Sequence, residues 1–285
     1  MIFIPVLSAA SFELKRRVDV DAKGIHGVAK LSKHIYVLCR APNSIRVYAD
    51  QSPFNFIKEI KAEYIRQPKD LAACPQSSCL YVTDGYNMFT KSGNRCVWKI
   101  TDETNVTRWL SNIGSPWTLS VCREKRVAML RDDEQHARLE VYQSDSVLSQ
   151  SLLMPADVRE PLHVVESSVG NFIVSCRYGG LWSLCEIAAD GHIVAQFLPE
   201  NDLERLDFPC YLAKYFDGRI IVADRNNHRV VLLNLEPKSS QIFLTRGEDS
   251  IKRPRQVLYD PDTRQLIAVH GVFRGRKMFD IYSLN

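Results

Sequence analysis

Arginine is the residue type whose placement first suggests chemistry here. Arg40, Arg131, Arg177, Arg225, Arg274 and Arg276 each follow a short apolar run, and Tyr86, Phe89, Trp117, Tyr178, Tyr211 and Phe273 lie in or beside the same segments. A guanidinium presents a planar fork of donors to phosphate or carboxylate, and an aromatic face stacks on a base or anchors a protein contact. Acids stand close by in sequence. Asp84, Asp132, Asp133, Glu134 and Asp224 are placed to neutralise several of these cations.

The histidines are His26, His34, His136, His163, His192, His228 and His270. Of these, only His26 and His163 hold comparable positions at the start of repeated strands, and Asp70 is the single carboxylate at such a position. A calcium site needs several oxygens and a catalytic zinc site about three nitrogen or oxygen ligands, so no ring of ligands is evident. No Gly-x-Ser-x-Gly elbow, phosphate-cradling glycine loop or His-Glu-x-x-His pair occurs. The sequence thus predicts no catalytic residue, no metal site and no cofactor.

The elements that must position these side chains are legible from a repeat. A Pro-x-x-[Leu/Val] step begins at Pro68, Pro116, Pro161, Pro209 and Pro254, with a degenerate copy at Ile25. After each step come an apolar strand, a short turn, a second strand such as Leu80-Tyr81-Val82 or Ile220-Ile221-Val222, a third strand and a more polar fourth. Four short strands in a unit of about 45 residues are the pattern of a propeller blade. Proline fits the start of an inner strand, where a lost ladder donor costs little. The expected fold is therefore all-β, a six-bladed β-propeller of four-stranded antiparallel blades. One domain over 1–285 is expected, with blades near 25–67, 68–115, 116–160, 161–208, 209–253 and 254–285.

The two ends of the chain fit together in this scheme. The last unit stops after a third strand, Phe279–Leu284, and the first is preceded by a strand without a blade, residues 12–18. Pairing them completes the last blade and removes the sheet edges that invite aggregation.

Ile221-Val222-Ala223-Asp224-Arg225-Asn226-Asn227-His228-Arg229-Val230 resembles the core of an NHL repeat, with Arg229 in place of the leucine of Asn-His-Leu. Tyr81-Val82-Thr83-Asp84 with Asn94-Arg95, and Asn43-Ser44, are fainter echoes in other blades. The resemblance is to the NHL domains of tripartite-motif proteins, and it implies a six-bladed ring and, in that family, RNA binding on a basic face. No RING or B-box cluster accompanies it, so ligase activity is not implied.

Composition narrows the partners only a little. The net charge of +4 permits an anionic partner without demanding one. No apolar run is long enough for a membrane helix, and the apolar start at Ile2–Leu7 lacks a basic leader. Eight cysteines form no Cys-x-x-Cys pair. A monomeric cytoplasmic chain is the expectation. Loops leading into the inner strands and loops between second and third strands share one face of a propeller. That face gathers Arg40, Arg131, His163, Arg177, Tyr178, Tyr211, Arg225, Arg274 and Arg276 as candidate ligand-binding residues. The expected function is a non-catalytic platform for a protein or peptide partner, with single-stranded RNA as the alternative and a metal-dependent hydrolase or lyase behind both.

Overall fold

The computed structural model describes residues 12–85, 93–133, 136–199, 201–235, 238–246, 251–271 and 277–284. Six four-stranded antiparallel sheets stand in a ring. Strand β1 (Phe12–Val20) opens the chain. The first blade is β2 (Gly24–Leu31), β3 (His34–Arg40), β4 (Ser44–Ala49) and β5 (Phe56–Lys61). The second is β6 (Pro68–Cys74), β7 (Cys79–Asp84), β8 (Cys96–Thr101) and β9 (Asn105–Leu110). The third is β10 (Ser115–Val121), β11 (Val127–Asp133), β12 (His136–Tyr142) and β13 (Leu148–Leu153), and the fourth β14 (Val158–Glu166), β15 (Phe172–Tyr178), β16 (Leu181–Ile187) and β17 (Ile193–Phe197). The fifth is β18 (Pro209–Lys214), β19 (Ile220–Asp224), β20 (Arg229–Asn234) and β21 (Ser239–Leu244). The sixth has β22 (Gln256–Asp260), β23 (Gln265–Gly271) and β24 (Lys277–Leu284), and β1 pairs antiparallel with β24 as its fourth strand.

The ring closes as the sequence predicts. Phe12 lies opposite Leu284 and Val20 opposite Lys277, with one register shift between Leu14 and Arg16. Arg17 reaches from the closing strand to Asp280 at 2.6 Å, so an ion pair fastens the chain ends as well as the ladder.

The core is divided among the blade-to-blade seams. Each of the six apolar clusters takes alternate residues from two neighbouring blades, as Leu38, Ile45, Leu71 and Leu80 do between the first and second. Strand alternation explains this: successive side chains point to opposite faces, and both faces of a blade meet a neighbour. Blade-to-blade burial then follows from the β-branched and leucine runs themselves.

Inner strands share a defect that matters for the site. The pairing between first and second strands slips at Ile25/Gly27, Pro68/Asp70, Pro116/Thr118 and Pro209/Tyr211, and over a longer stretch at Arg159/His163. A bulge places two residues opposite one and re-aims the side chain that follows. Here the re-aimed residues are Asp70, Thr118, His163 and Tyr211, each two positions after its proline, joined by Gln256 in the sixth blade. The first blade has Gly27 at this position. A Cβ there would stand 2.3 Å from Leu71 Cβ and 2.8 Å from its backbone nitrogen, so β2 and β6 approach one another too closely for any side chain.

Gly27→Ala is therefore expected to lower the unfolding free energy by roughly 1–3 kcal/mol, the usual cost of overpacking. Urea denaturation checks it; an unchanged midpoint would show that β2 can move away from β6 freely.

Candidate functional site: a polar layer across the channel and a basic mouth

The bulged positions meet on the ring axis. Asp70 is 1% exposed, and its carboxylate accepts five hydrogen bonds. The Leu71 N–H at 2.8 Å, Tyr211 hydroxyl at 3.2 Å and Gln256 Nε2 at 2.9 Å donate to Oδ1. The Thr118 hydroxyl at 2.8 Å and the Leu119 N–H at 3.1 Å donate to Oδ2. Gln256 also donates to the His26 carbonyl at 2.9 Å, which ties in the first blade. His163 supplies the fourth blade: its Nδ1 accepts the Leu212 N–H at 3.3 Å, so in the neutral ring Nε2 carries the proton. That Nε2 lies 3.9 Å from Asp70 Oδ2, and the Tyr211 ring stacks on the imidazole with centroids 3.6 Å apart.

Burial dominates the electrostatics of this layer. It pushes the Asp70 carboxyl up to about 7 against the five donors, which favour the charged form. It pushes His163 down to about 3, so the imidazole stays neutral. Tyr211 is held well above its ordinary value by burial and by the Asp70 charge beside it.

Above the layer lies a small recess of about 180 Å³, rimmed by His26, Lys69, Trp117, Leu162, Cys210 and Arg255, each one position before its layer residue. It adjoins a larger pocket of about 840 Å³ at the junction of the fifth, sixth and first blades. Lys23, Arg40, Arg225, Arg253, Arg255 and Lys277 line that pocket, and among the described residues no aspartate or glutamate lines it. The cations press on one another. His26 falls to about 4 through burial and then through Arg255, Arg40 and Lys69. Arg225 is lowered by burial, Arg255 and Arg253; Lys69 by burial and Arg40; Lys277 by burial and Arg255. Below the layer the channel widens into a cavity of about 500 Å³, more apolar, with Leu71, Leu119, Leu212 and Val257 in its walls. There Lys30 lies 3.1 Å from Asp50 and also bonds Asp260, and Glu166 is paired with Arg126 at 2.7 Å.

The residues singled out from sequence separate into groups. Arg40 and Arg225 line the basic pocket, and Arg225 lies over the Phe208 ring at 5.3 Å. Tyr211 and His163 belong to the polar layer. Arg177 sits apart, over the Trp182 ring at 5.2 Å and 3.5 Å from Glu160. Arg131 is turned to Glu140, with nitrogens 2.7 and 2.8 Å from its oxygens, so its charge is spent within the third blade. Tyr178 packs on the seam between the third and fourth blades. Arg274 and Arg276 lie outside the described residues.

Lys23, Arg253 and Arg255 are additions, as is the joint role of Asp70, Thr118 and Gln256. Their signal was present: His26, Lys69 and Arg255 occupy one repeat position, one residue after the proline step. The NHL-like stretch itself is structural. Asp224 accepts from the Asp207 N–H at 2.8 Å, Asn227 at 2.9 Å and Arg229 at 2.6 Å, and His228 Nδ1 accepts the Arg253 N–H at 3.0 Å. In the second blade Asp84 receives the Gln67 N–H at 2.7 Å and Asn94 at 2.5 Å in the same way. These bonds clamp the loops that carry the cations. Among the described residues no three His, Cys, Asp or Glu side chains gather closely enough to hold a metal ion.

No family model matches the chain, and no curated protein matches it. Solved structures do. A PQQ-bound aldose sugar dehydrogenase from Streptomyces coelicolor superposes with a TM-score of 0.70 at 13% identity, over 97% of this chain and 98% of that one. A streptogramin B lyase gives 0.64 at 10% identity, over 96% and 98%. A chain of a nidogen/laminin complex gives 0.66 at 13% identity, over 85% and 86%. At these identities the likeness is one of fold, and that fold carries two enzymes and a protein complex.

The raised Asp70 carboxyl has a direct consequence for stability. Because its folded value lies above its ordinary 3.8, the folded chain holds a proton that the unfolded chain has released between there and about 7. Its contribution is thus fully present below 3.8 and is lost as pH rises through about 7. The difference in unfolding free energy between wild type and Asp70→Asn should fall as pH rises across that interval, measured by urea titration. A pH-independent difference would place the Asp70 proton elsewhere.

Proposed function

We propose that this chain is a binding propeller whose basic face holds a protein partner through an acidic segment. The observation that carries this reading is the cation-lined pocket between the first, fifth and sixth blades, which has no carboxylate among its described lining residues. Arg225 in that pocket lies over the Phe208 ring, and Arg177, farther round the face, lies over Trp182 beside Glu160. Arginine and large aromatics dominate the energetics of protein contacts, because they desolvate a wide area at small cost in conformational freedom. A stacked guanidinium keeps its donors in plane and free to receive a carboxylate. Complementary charge would speed the encounter and fix its register.

Catalysis is the weaker reading. The polar layer on the axis commits Asp70 to five donors, and His163 to a neutral state with its Nδ1 already occupied. Neither group is set up to exchange a proton with a substrate while those bonds hold. The protein complex among the similar folds supports a partner-binding use of such a ring.

The test is crosslinking-coupled pulldown with and without nuclease, on wild type and on Arg177→Glu combined with Arg225→Glu. Capture should survive nuclease and fall by about thirtyfold in the double variant, the roughly 2 kcal/mol scale of a hot-spot arginine. Loss of capture on nuclease treatment would make single-stranded RNA the ligand instead.

A further inference from the structure

The basic pocket has features that a face for an acidic protein segment does not require. Its cations arrive from separate loops: Lys23 precedes β2, Arg40 ends β3, Arg225 follows β19, and Arg253 and Arg255 precede β22. They converge on one concavity of about 840 Å³, within the roughly 300–1,000 Å³ typical of small-ligand sites. Arg225 and Arg253 are half-buried in its wall, Arg225 over the Phe208 ring and Arg253 with its Nη2 3.4 Å from the Asn226 side-chain oxygen. Their Nε atoms are shielded from solvent and have no hydrogen-bond partner among the described residues. Such a donor is costly to bury unless an acceptor arrives.

Two acids of the neighbouring strands, Asp224 and Asp280, are already taken. Asp224 is fully buried and filled by Asn227, Arg229 and the Asp207 N–H. Asp280 is fully buried between Arg17 at 2.6 Å and His270 at 2.9 Å. The described lining residues of the pocket carry an excess of positive charge with no carboxylate among them, and Arg225 and His26 are lowered first by burial and then by the cations around them. One carboxylate would leave most of that excess standing.

We propose that this pocket binds a compact multivalent anion, a small molecule carrying two or more phosphoryl groups in close succession. Phosphoryl oxygens match the forked guanidinium geometry, and several of them on one short ligand meet cations that converge from three blades. An extended strand would need a groove, whereas this site is a basin. The pocket is shared with the partner-binding face, but titration of the purified chain needs no partner, so failure of one reading is distinguishable from failure of the other.

The test uses the purified full chain alone. Isothermal titration at about 0.15 M salt, where exposed charges are largely screened, compares orthophosphate, pyrophosphate and tripolyphosphate. Affinity should rise at least about tenfold from orthophosphate to tripolyphosphate, and tripolyphosphate should raise the melting temperature. Arg255→Gln and Arg225→Gln should each weaken tripolyphosphate about tenfold or more. Arg219→Gln, whose side chain is paired with Asp217 at 2.6 Å outside the pocket, should leave it unchanged. Arg255→Gln should also keep or raise the melting temperature of the unliganded chain, because it removes a like charge; a merely structural arginine would lower it. The proposal is overturned if tripolyphosphate does not bind at millimolar concentration, if Arg219→Gln weakens it equally, or if oligouridylate binds as tightly per phosphate.

Discussion

A buried carboxylate on the ring axis is the interaction around which the rest of this structure is arranged. Asp70 draws side-chain donors from the third, fifth and sixth blades and a backbone donor from the third, while Gln256 extends the set to the first and His163 stands over it from the fourth. A propeller's seams hold each blade to its neighbours only, since each apolar cluster joins two adjacent sheets. Across the open channel nothing apolar can be shared, so a polar residue with long reach must do the joining. Desolvating a carboxylate is expensive, and it is tolerable here because every lone pair has a donor. Such a group fixes the spacing of the blades more than it adds net stability.

That layer also separates two unlike compartments. Below it, Lys30 and Glu166 are paired and the walls are more apolar. Above it, cations accumulate on one side of the mouth with no acid among the described lining residues. The asymmetry arises from the two kinds of loop at the upper end. Loops leading into the inner strands bring Lys23, Arg253 and Arg255; loops between second and third strands bring Arg40 and Arg225. The Asp224–Asn227 clamp anchors the loop of Arg225, and the Arg253 N–H bonds His228 of that same loop, so these two cations are held together by hydrogen bonds made elsewhere. Electrostatic strain of this kind is held by the scaffold, and it is the usual mark of a place where a ligand completes the structure.

Much of the scaffold could be read directly. The proline step located every inner strand after the first, because a residue without an N–H suits the start of such a strand or, as Pro161 in β14, a break in its pairing. The unpaired strand before the first blade and the missing strand after the last one implied each other, and β1 does pair with β24. Arg40, Arg177 and Arg225 lie at or just beyond the ends of β3, β15 and β19. Which arginines remained available was not readable. Arg131 and Arg40 hold comparable positions in the repeat, yet Arg131 has Glu140 across its hairpin and Arg40 has no acid among the described residues of the pocket it lines.

The local chemistry of the chain therefore determined the blades, their order and the way the ring closes. These depend on alternation, turns and strand starts, which act within about 45 residues. Ring closure decided the rest. It sets Asp70 against Tyr211 and Gln256, 141 and 186 positions away, and it brings Lys23 and Arg40 from the first blade beside Arg225, Arg253 and Arg255 from the end of the chain. No spacing in the sequence expresses those distances. They follow from the number of blades and from bulges that re-aim one side chain per inner strand, and only the folded ring combines the two.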